Sequence, residues 1–288
     1  MDTRFLESFV ILVESRSLAE AARKLNLTPA ALGLRIKALE KEVGFALVTR
    51  TGRSIGPTAA GLTLASKAKG FLADLRDFKT IGTGQLIKGD LRLGVATSAV
   101  AGQLCNLLPG LARRYPEIDL SVVKGNSSDL YRKLVNSDLD VVLTYKPPFD
   151  LPKSVSWRPV LEERYIVIAP KGLAGRDPYQ LLGEEAFIRY DRALWSGQLA
   201  DHYLRSHGLE PRELIELDGL EAIAILVDRG LGVSLVPNWS APWPEGLNLA
   251  KLDLPDDAPR RELGLLWPRG SSRTHLIEAV AEMTGPGH

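Results

Sequence analysis

The sequence predicts an α/β protein in two parts: a small winged helix-turn-helix unit at the amino terminus, then a larger unit of alternating strands and helices, with a long helix between. Three observations carry this. Two short capped helices meet at a tight turn near Asn26-Leu27. Apolar positions three and four apart then run from Thr58 to Lys79. From Asp90 onward, apolar runs of strand length alternate with helical ones.

Phe5, Leu6, Phe9, Val10, Leu12 and Val13 give a first helix a broad apolar face. Ser17 is placed to cap a second helix, Leu18 to Leu25, with Glu20 three residues on as in a capping box. Asn26-Leu27 breaks it, and Thr28-Pro29 supplies a cap and an N1 proline for a third helix running to Val43. Leu32, Ile36, Leu39 and Val43 share one face of that helix. Ala30, Gly33, Leu34, Lys37 and Lys41 share the other, which has small residues and cations but no acid. A close-fitting cationic helix that follows a turn suits the DNA major groove. Two extended runs around Gly52 then carry Arg50 and Arg53, as a wing would.

Charge is divided unevenly. Residues 1–89 hold 14 Lys and Arg against 8 Asp and Glu, a net of +6, while the remaining residues hold 22 against 27, a net of −5. Phosphate neutralisation drives nucleic-acid affinity, so the basic part is the one expected to touch double-stranded DNA. The helix from Thr58 to Lys79 carries Ala65, Ala68, Phe71, Leu72, Leu75 and Phe78 as its stripe, and Ile81 to Gln85 reads as a hinge.

In the larger part, strands are expected at Leu91–Ala96, Ile118–Val123 and Leu139–Leu143, with helices through Leu104–Leu111 and Leu130–Val135. Further strands fall at Tyr165–Ala169, Ala186–Ile188, Leu214–Leu217, Gly232–Val236 and Leu263–Trp267. Helices fall at Gly197–Ser206, Leu220–Asp228 and Ser272–Thr284. This rhythm predicts a parallel sheet covered by helices on both faces.

Composition excludes several classes. With one cysteine, Cys105, neither a disulfide framework nor a cysteine zinc site is available. No apolar run approaches the roughly 18 residues of a membrane span, and Asp2 follows Met1 without a signal-peptide pattern, so a cytoplasmic protein with no membrane partner is expected. His202, His207, His275 and His288 lack the spacing of a triad or metal site, and no phosphate-binding loop is present. The acid pairs Asp129/Asp138 and Glu184/Glu185 have nothing around them that marks acid–base chemistry. No catalytic residue, metal or cofactor is expected. An enzyme or a solute-binding protein on a two-lobed fold is the alternative.

Residues 1–61 resemble the DNA-binding domain of LysR-type transcriptional regulators. The matching pieces are Phe9, Ser17 to Ala22, Leu27 to Leu32, Ile36 to Glu40, Arg50, Arg53 and Pro57 to Gly61. The remainder resembles that family's effector-binding domain, of the two-lobed periplasmic-binding-protein-like (type 2) fold, through Leu108 to Leu111, Tyr115 to Ile118, Gly125, Leu139 to Val141, and Glu221 to Val227 leading into Gly230 to Val233 and Pro237. The departures are Gly33, where members often carry Ser, and Leu34, where they carry a polar or basic residue. The resemblance implies a winged helix-turn-helix domain over 1–61, a linker helix and hinge over 62–89, and an effector-binding domain over 90–288. Its lobe I would take about 90–161 and 267–288, and lobe II about 162–266. It also implies a homodimer or homotetramer through the linker helix and effector domain.

DNA contacts are expected from Ser17, Thr28, Pro29, Ala30, Gly33, Leu34, Arg35 and Lys37, with Arg50, Arg53 and Thr58 on phosphates. In open parallel sheets ligands sit beyond the carboxyl ends of strands, where helices begin. That places a small-molecule effector against Thr97, Ser98, Asn126, Ser127, Asp218 and Gly219, with Arg189 after a second-lobe strand as a partner for an anion. Asp218 would instead favour an amine.

Overall fold

A computed structural model describes residues 2–15, 17–51, 54–78, 87–240 and 242–284. The expected hinge at Ile81–Gln85 and Arg53 lie outside the described residues. Two compact units divide at residues 86/87, with 135–138 grouped with the first.

In the first unit, α1 (Thr3–Ser15), α2 (Leu18–Lys24) and α3 (Pro29–Val43) are followed by the strands β1 (Val48–Thr51) and β2 (Ser54–Pro57) and by α4 (Ala59–Phe78). The caps act as the sequence predicts: Ser17 accepts from the Glu20 amide, and Thr28 accepts from the Ala31 amide at 3.1 Å. Asn26 turns the chain between α2 and α3 in the left-handed region, φ 53°, which Asn tolerates. Gly44, φ 84°, ends α3. β1 and β2 form the antiparallel wing, with Val48 opposite Pro57 and Thr51 opposite Ser54.

Leu6, Phe9, Leu12, Ala21, Ala22, Leu32, Ile36, Leu39 and Leu47 make the core, and α4 adds Ala65 and Ala68. The α4 stripe is therefore not a single free face. Its first half is buried on its own unit, with Leu72 packed alongside, whereas Leu62 and Phe71 stay exposed. Gly61 allows this packing, because a Cβ there would stand 2.1 Å from the Leu47 carbonyl oxygen.

The second unit is built on a seven-stranded mixed sheet. β3 (Gly89–Ala96) pairs in parallel with β4 (Ile118–Gly125) and with β5 (Val141–Tyr145). β11 (Arg260–Pro268) then pairs antiparallel with β5 and with the first part, Val155 to Arg164, of β6 (Val155–Pro170). Beyond Glu163, β6 carries β9 (Ser234–Pro237) and β10 (Leu249–Asp253), both antiparallel. A separate parallel pair, β7 (Ala186–Tyr190) and β8 (Arg212–Leu217), lies beside β9.

The expected parallel sheet is thus corrected: in lobe I β11 runs against β3, β4 and β5, and in lobe II β9 and β10 run against β6, while β6 and β11, antiparallel to each other, carry the chain from one lobe to the other and back. α5 (Cys105–Arg114), α6 (Ser127–Val135) and α10 (Thr274–Glu282) cover lobe I. α7 (Pro178–Glu184), α8 (Trp195–Ser206) and α9 (Leu220–Asp228) cover lobe II. The return to lobe I also comes earlier than residue 267. Leu263, Leu265 and Leu266 are already in the lobe I core, and Leu263 to Leu266 pair with β5.

Candidate nucleic-acid interface and ligand cavity

The two faces of α3 are chemically separate. Leu32, Ile36 and Leu39 are buried, while Thr28, Pro29, Ala30, Leu34, Lys37 and Lys41 are exposed. Neither lysine makes a hydrogen bond or ion pair among the described residues. Glu40, one turn beyond Lys37, points toward the wing: its Oε1 accepts from the amides of Leu47 at 2.8 Å and Val48 at 3.1 Å. Gly33 leaves open space, with nothing within 4 Å of where its Cβ would be. A solvent-facing helix with free cations, small residues and no competing carboxylate can approach a polyanion closely.

Several of the polar candidates have other work. Arg35 is half-buried beside the core stripe, and its Nη1 donates to Ser8 Oγ at 3.1 Å, so it faces α1 rather than the outer surface. Thr58 caps α4 by accepting from the Gly61 amide at 2.9 Å, and its hydroxyl donates to the Ala46 carbonyl at 2.9 Å. Its side chain locks the wing to α4 and is not free for a phosphate. Ser17 and Thr28 hold helix ends through their side-chain oxygens. Arg50 lies on β1 opposite Ile55. Lys41, omitted from the expected contacts, shares the exposed face with Lys37, and helical spacing of four residues is the signal that finds it.

In the second unit a cavity of about 450 Å³ lies between the lobes. Lobe I lines it with the segment from Ala96 to Ala101, with Lys124 to Ser128 and with Tyr145; lobe II contributes Tyr190, Leu194 to Ser196, Asp218 to Ala222 and Trp239. Thr97, Ser98, Asn126, Ser127, Asp218 and Gly219 therefore come together at one place, where α6, α8 and α9 all begin. The first amides of a helix lack intrahelical acceptors, so these ends favour negative charge. α8 reaches the cavity because Gly197 lets it pack on the preceding strand: a Cβ there would sit 1.8 Å from the Asp191 carbonyl oxygen.

Within this wall the side chains differ in freedom. Asn126 is committed to α6, its Oδ1 accepting from the Asp129 amide at 2.8 Å and its Nδ2 donating to Asp129 Oδ2 at 3.1 Å. Thr97 donates to the Gly125 carbonyl at 3.3 Å. Ser98 Oγ donates to the Tyr145 hydroxyl at 3.1 Å, which in turn reaches Glu163 Oε2 at 3.4 Å.

The floor behind them is a buried ion pair at the point where the lobes join. Arg261 Nε donates to Glu163 Oε2 at 2.7 Å, its Nη1 donates to Ser196 Oγ at 3.2 Å, and its guanidinium lies 3.8 Å from the Tyr145 ring centre. Burial pushes the hydroxyls of Tyr145 and Tyr190 up from the usual tyrosine value, so both stay neutral at physiological pH. Tyr145, Ser196 and Trp239 are cavity-wall residues that sequence reasoning misses. They belong to a strand, a helix start and a loop far apart in the chain, with no local spacing to group them.

Arg189 is a correction. It does not line the cavity; it is 5% exposed and is held by Asp201 at 3.0 Å and Glu213 at 2.7 Å on the far side of β7. The alternating pattern of the strand turns Tyr190 to the cavity and Arg189 away. His207 is likewise occupied, between the Tyr203 carbonyl and Asp257, and these partners raise its pKa. Among the described residues there is no cluster of side chains able to hold a metal ion, and no helix is long and apolar enough to cross a membrane.

Comparison with known proteins accounts for both units. Residues 3–62 match the family model "Bacterial regulatory helix-turn-helix protein, lysR family", and residues 84–285 match the LysR substrate binding domain. The regulator TtuA of Agrobacterium vitis is 31% identical over 84% of this chain and 82% of its own length. IlvY of Escherichia coli is 26% identical over all of both chains. Among solved structures, full-length OxyR from Pseudomonas aeruginosa superposes with a TM-score of 0.73 at 20% identity, covering 99% of this chain and 94% of that one. CbnR complexed with its target DNA gives 0.64 at 17% identity, covering 98% and 100%. With a DNA-binding and an effector-binding domain both matched, the chain belongs to the LysR family of transcriptional regulators.

Proposed function

We propose that α3 enters the major groove with Ala30, Gly33, Leu34, Lys37 and Lys41 toward the bases and phosphates, while the wing residues Arg50 and Arg53 neutralise the flanking backbone. The observation that carries this is the outer face of α3, whose two lysines are exposed and unpaired among the described residues while Glu40 is turned to the wing. Leu34 offers apolar contact of the kind a thymine methyl accepts. Thr28 and Ser17 act by fixing the helix ends.

The effector is a small molecule that occupies the interlobe cavity, with an anionic group at the first turn of α6. Its occupancy favours one of two placements of the DNA-binding units in a homo-oligomer. Phe71, an exposed aromatic residue of α4, supports a helix-to-helix contact between copies. The protein acts in the cytoplasm, as a regulator and not as an enzyme.

The test is binding of the full chain to the intergenic DNA beside its own gene at several salt concentrations. Lys37→Ala and Lys41→Ala should each flatten the log–log salt dependence by about one unit and weaken all sequences alike. An unchanged affinity and slope in both variants removes α3 from the interface.

A further inference from the structure

The two walls of the cavity carry opposite charge. Lobe I presents Lys124, at the carboxyl end of β4, and no acid; lobe II presents Asp218 and Glu221, at the start of α9, and no cation. All three are exposed, and none makes a hydrogen bond or ion pair among the described residues. Neighbours that could cancel them are committed elsewhere. Asp129, in the first turn of α6, is drawn to Asn126 and Arg132. On lobe II, Arg192 is held by Glu216 at 2.8 Å and Arg189 by Asp201 and Glu213.

The two helix ends are consequently unlike. The positive end of α9 is already offset by its own two carboxylates, whereas that of α6 faces an uncompensated lysine. A simple anion would be attracted to one wall and repelled by the other. Trp239, 5% exposed, also lines the cavity, one face stacked at 3.6 Å on Trp243, and its indole N–H makes no hydrogen bond among the described residues. An indole N–H donates only, so a ligand oxygen within its reach would accept from it.

We propose that the effector is a zwitterion of amino-acid type. Its carboxylate lies against Lys124 and the first turn of α6, and its ammonium lies against Asp218 and Glu221. This deepens, and rests on, the effector reading above. It also gives closure a physical reason: one molecule satisfies both walls only when they come together across it.

The experiment is calorimetric titration of the full chain with the common L-amino acids, their matched 2-hydroxy acids and their matched primary amines. At least one amino acid should bind, about tenfold or more tighter than either matched compound. D218N and E221Q should each weaken that amino acid by up to about tenfold and leave or improve the hydroxy acid, while K124Q should weaken the hydroxy acid and spare the amine. The proposal is overturned if no amino acid binds, if a hydroxy acid binds as tightly as its amino acid, or if D218N and E221Q leave the amino acid unaffected. S98F, which plugs the cavity, separates the two readings. Binding that survives the plug removes the cavity as the effector site, and binding lost to the plug but indifferent to all three charge variants removes only the zwitterion.

Discussion

The DNA-binding unit and the effector unit are stabilised by different means. Among the described residues of the first, the only buried polar side chains are the hydroxyls of Ser8 and Ser15, and the charges sit at the surface. The second buries Asp140, Glu163, Arg189, Arg261 and Arg273. The difference follows the ligands. A unit that grips a polyanion needs its cations in water, ready to exchange counterions for phosphates. A unit that must hold two lobes in register can use buried ion pairs, whose directional bonds reject a slipped arrangement that apolar packing would tolerate.

The contrast is broken most severely at Asp140. Its carboxylate accepts from Arg92 Nη2 at 2.7 Å and Nε at 3.1 Å, and from the guanidinium of Arg273 on the loop before α10. Asp140→Ala leaves Arg273 buried without that partner and should cost the effector unit about 3–5 kcal/mol. In calorimetry only the transition of that unit should move. A matching shift in the DNA-binding unit would show that the two melt as one body.

The same group gives a pH signature. Burial raises the Asp140 pKa, but Arg92 and Arg273 together outweigh it and hold the carboxyl below its ordinary value of 3.8. The stabilisation is therefore present above about pH 4 and is lost as pH falls through the depressed value. On acidification the effector unit should lose more stability than Asp140→Asn does over the same range. Parallel acid titrations of wild type and variant would contradict this.

Gly61 probes the other unit. Alanine there drives a methyl group into the Leu47 carbonyl, so Gly61→Ala should cost the DNA-binding unit at least about 1–3 kcal/mol and abolish DNA binding while effector binding persists. Retention of full DNA affinity would mean that α4 can shift without moving the wing.

The sequence itself shows why one unit was the easier to read. Ser17, Thr28-Pro29 and Gly44 punctuate α2 and α3 locally, and the helices begin and end within a residue or so of those signals. Asp177-Pro178 carries the same signal before α7, a helix of seven residues like α2, but it has no neighbouring capped helix to complete a recognisable pattern. The first part of β6, ahead of the expected strand at Tyr165–Ala169, escaped because Glu162-Glu163-Arg164 interrupts its apolar alternation and Pro159 sits opposite a register shift. Those charges stand where β6 passes between lobes, and their partners Arg260 and Arg261 lie about a hundred positions along the chain. Likewise, six of the seven residues expected in the cavity line it because helix starts mark strand ends, whereas Arg189 fails because strand alternation, not loop position, sets its direction.

The smallest effect tests the outer face of α3. Nothing lies near the missing Cβ of Gly33, so Gly33→Ala should stabilise the DNA-binding unit by about 0.5–1 kcal/mol. If the helix backbone approaches DNA as closely as the proposal requires, the same variant should bind more weakly. A gain in both stability and affinity would place that contact elsewhere.

The course of β6 and β11 has one more consequence. Arg164 lies opposite Arg260, and the pairing continues from there to Val155 and Pro268 with one register shift, between Leu263 and Gly264. The whole of lobe II is thus an excursion that departs from and rejoins one antiparallel ladder at neighbouring points, about 5 Å apart. A tight hairpin turn could replace it, leaving a minimal one-lobed regulator with its sheet edge intact, deaf to metabolites yet still attached to its DNA reader.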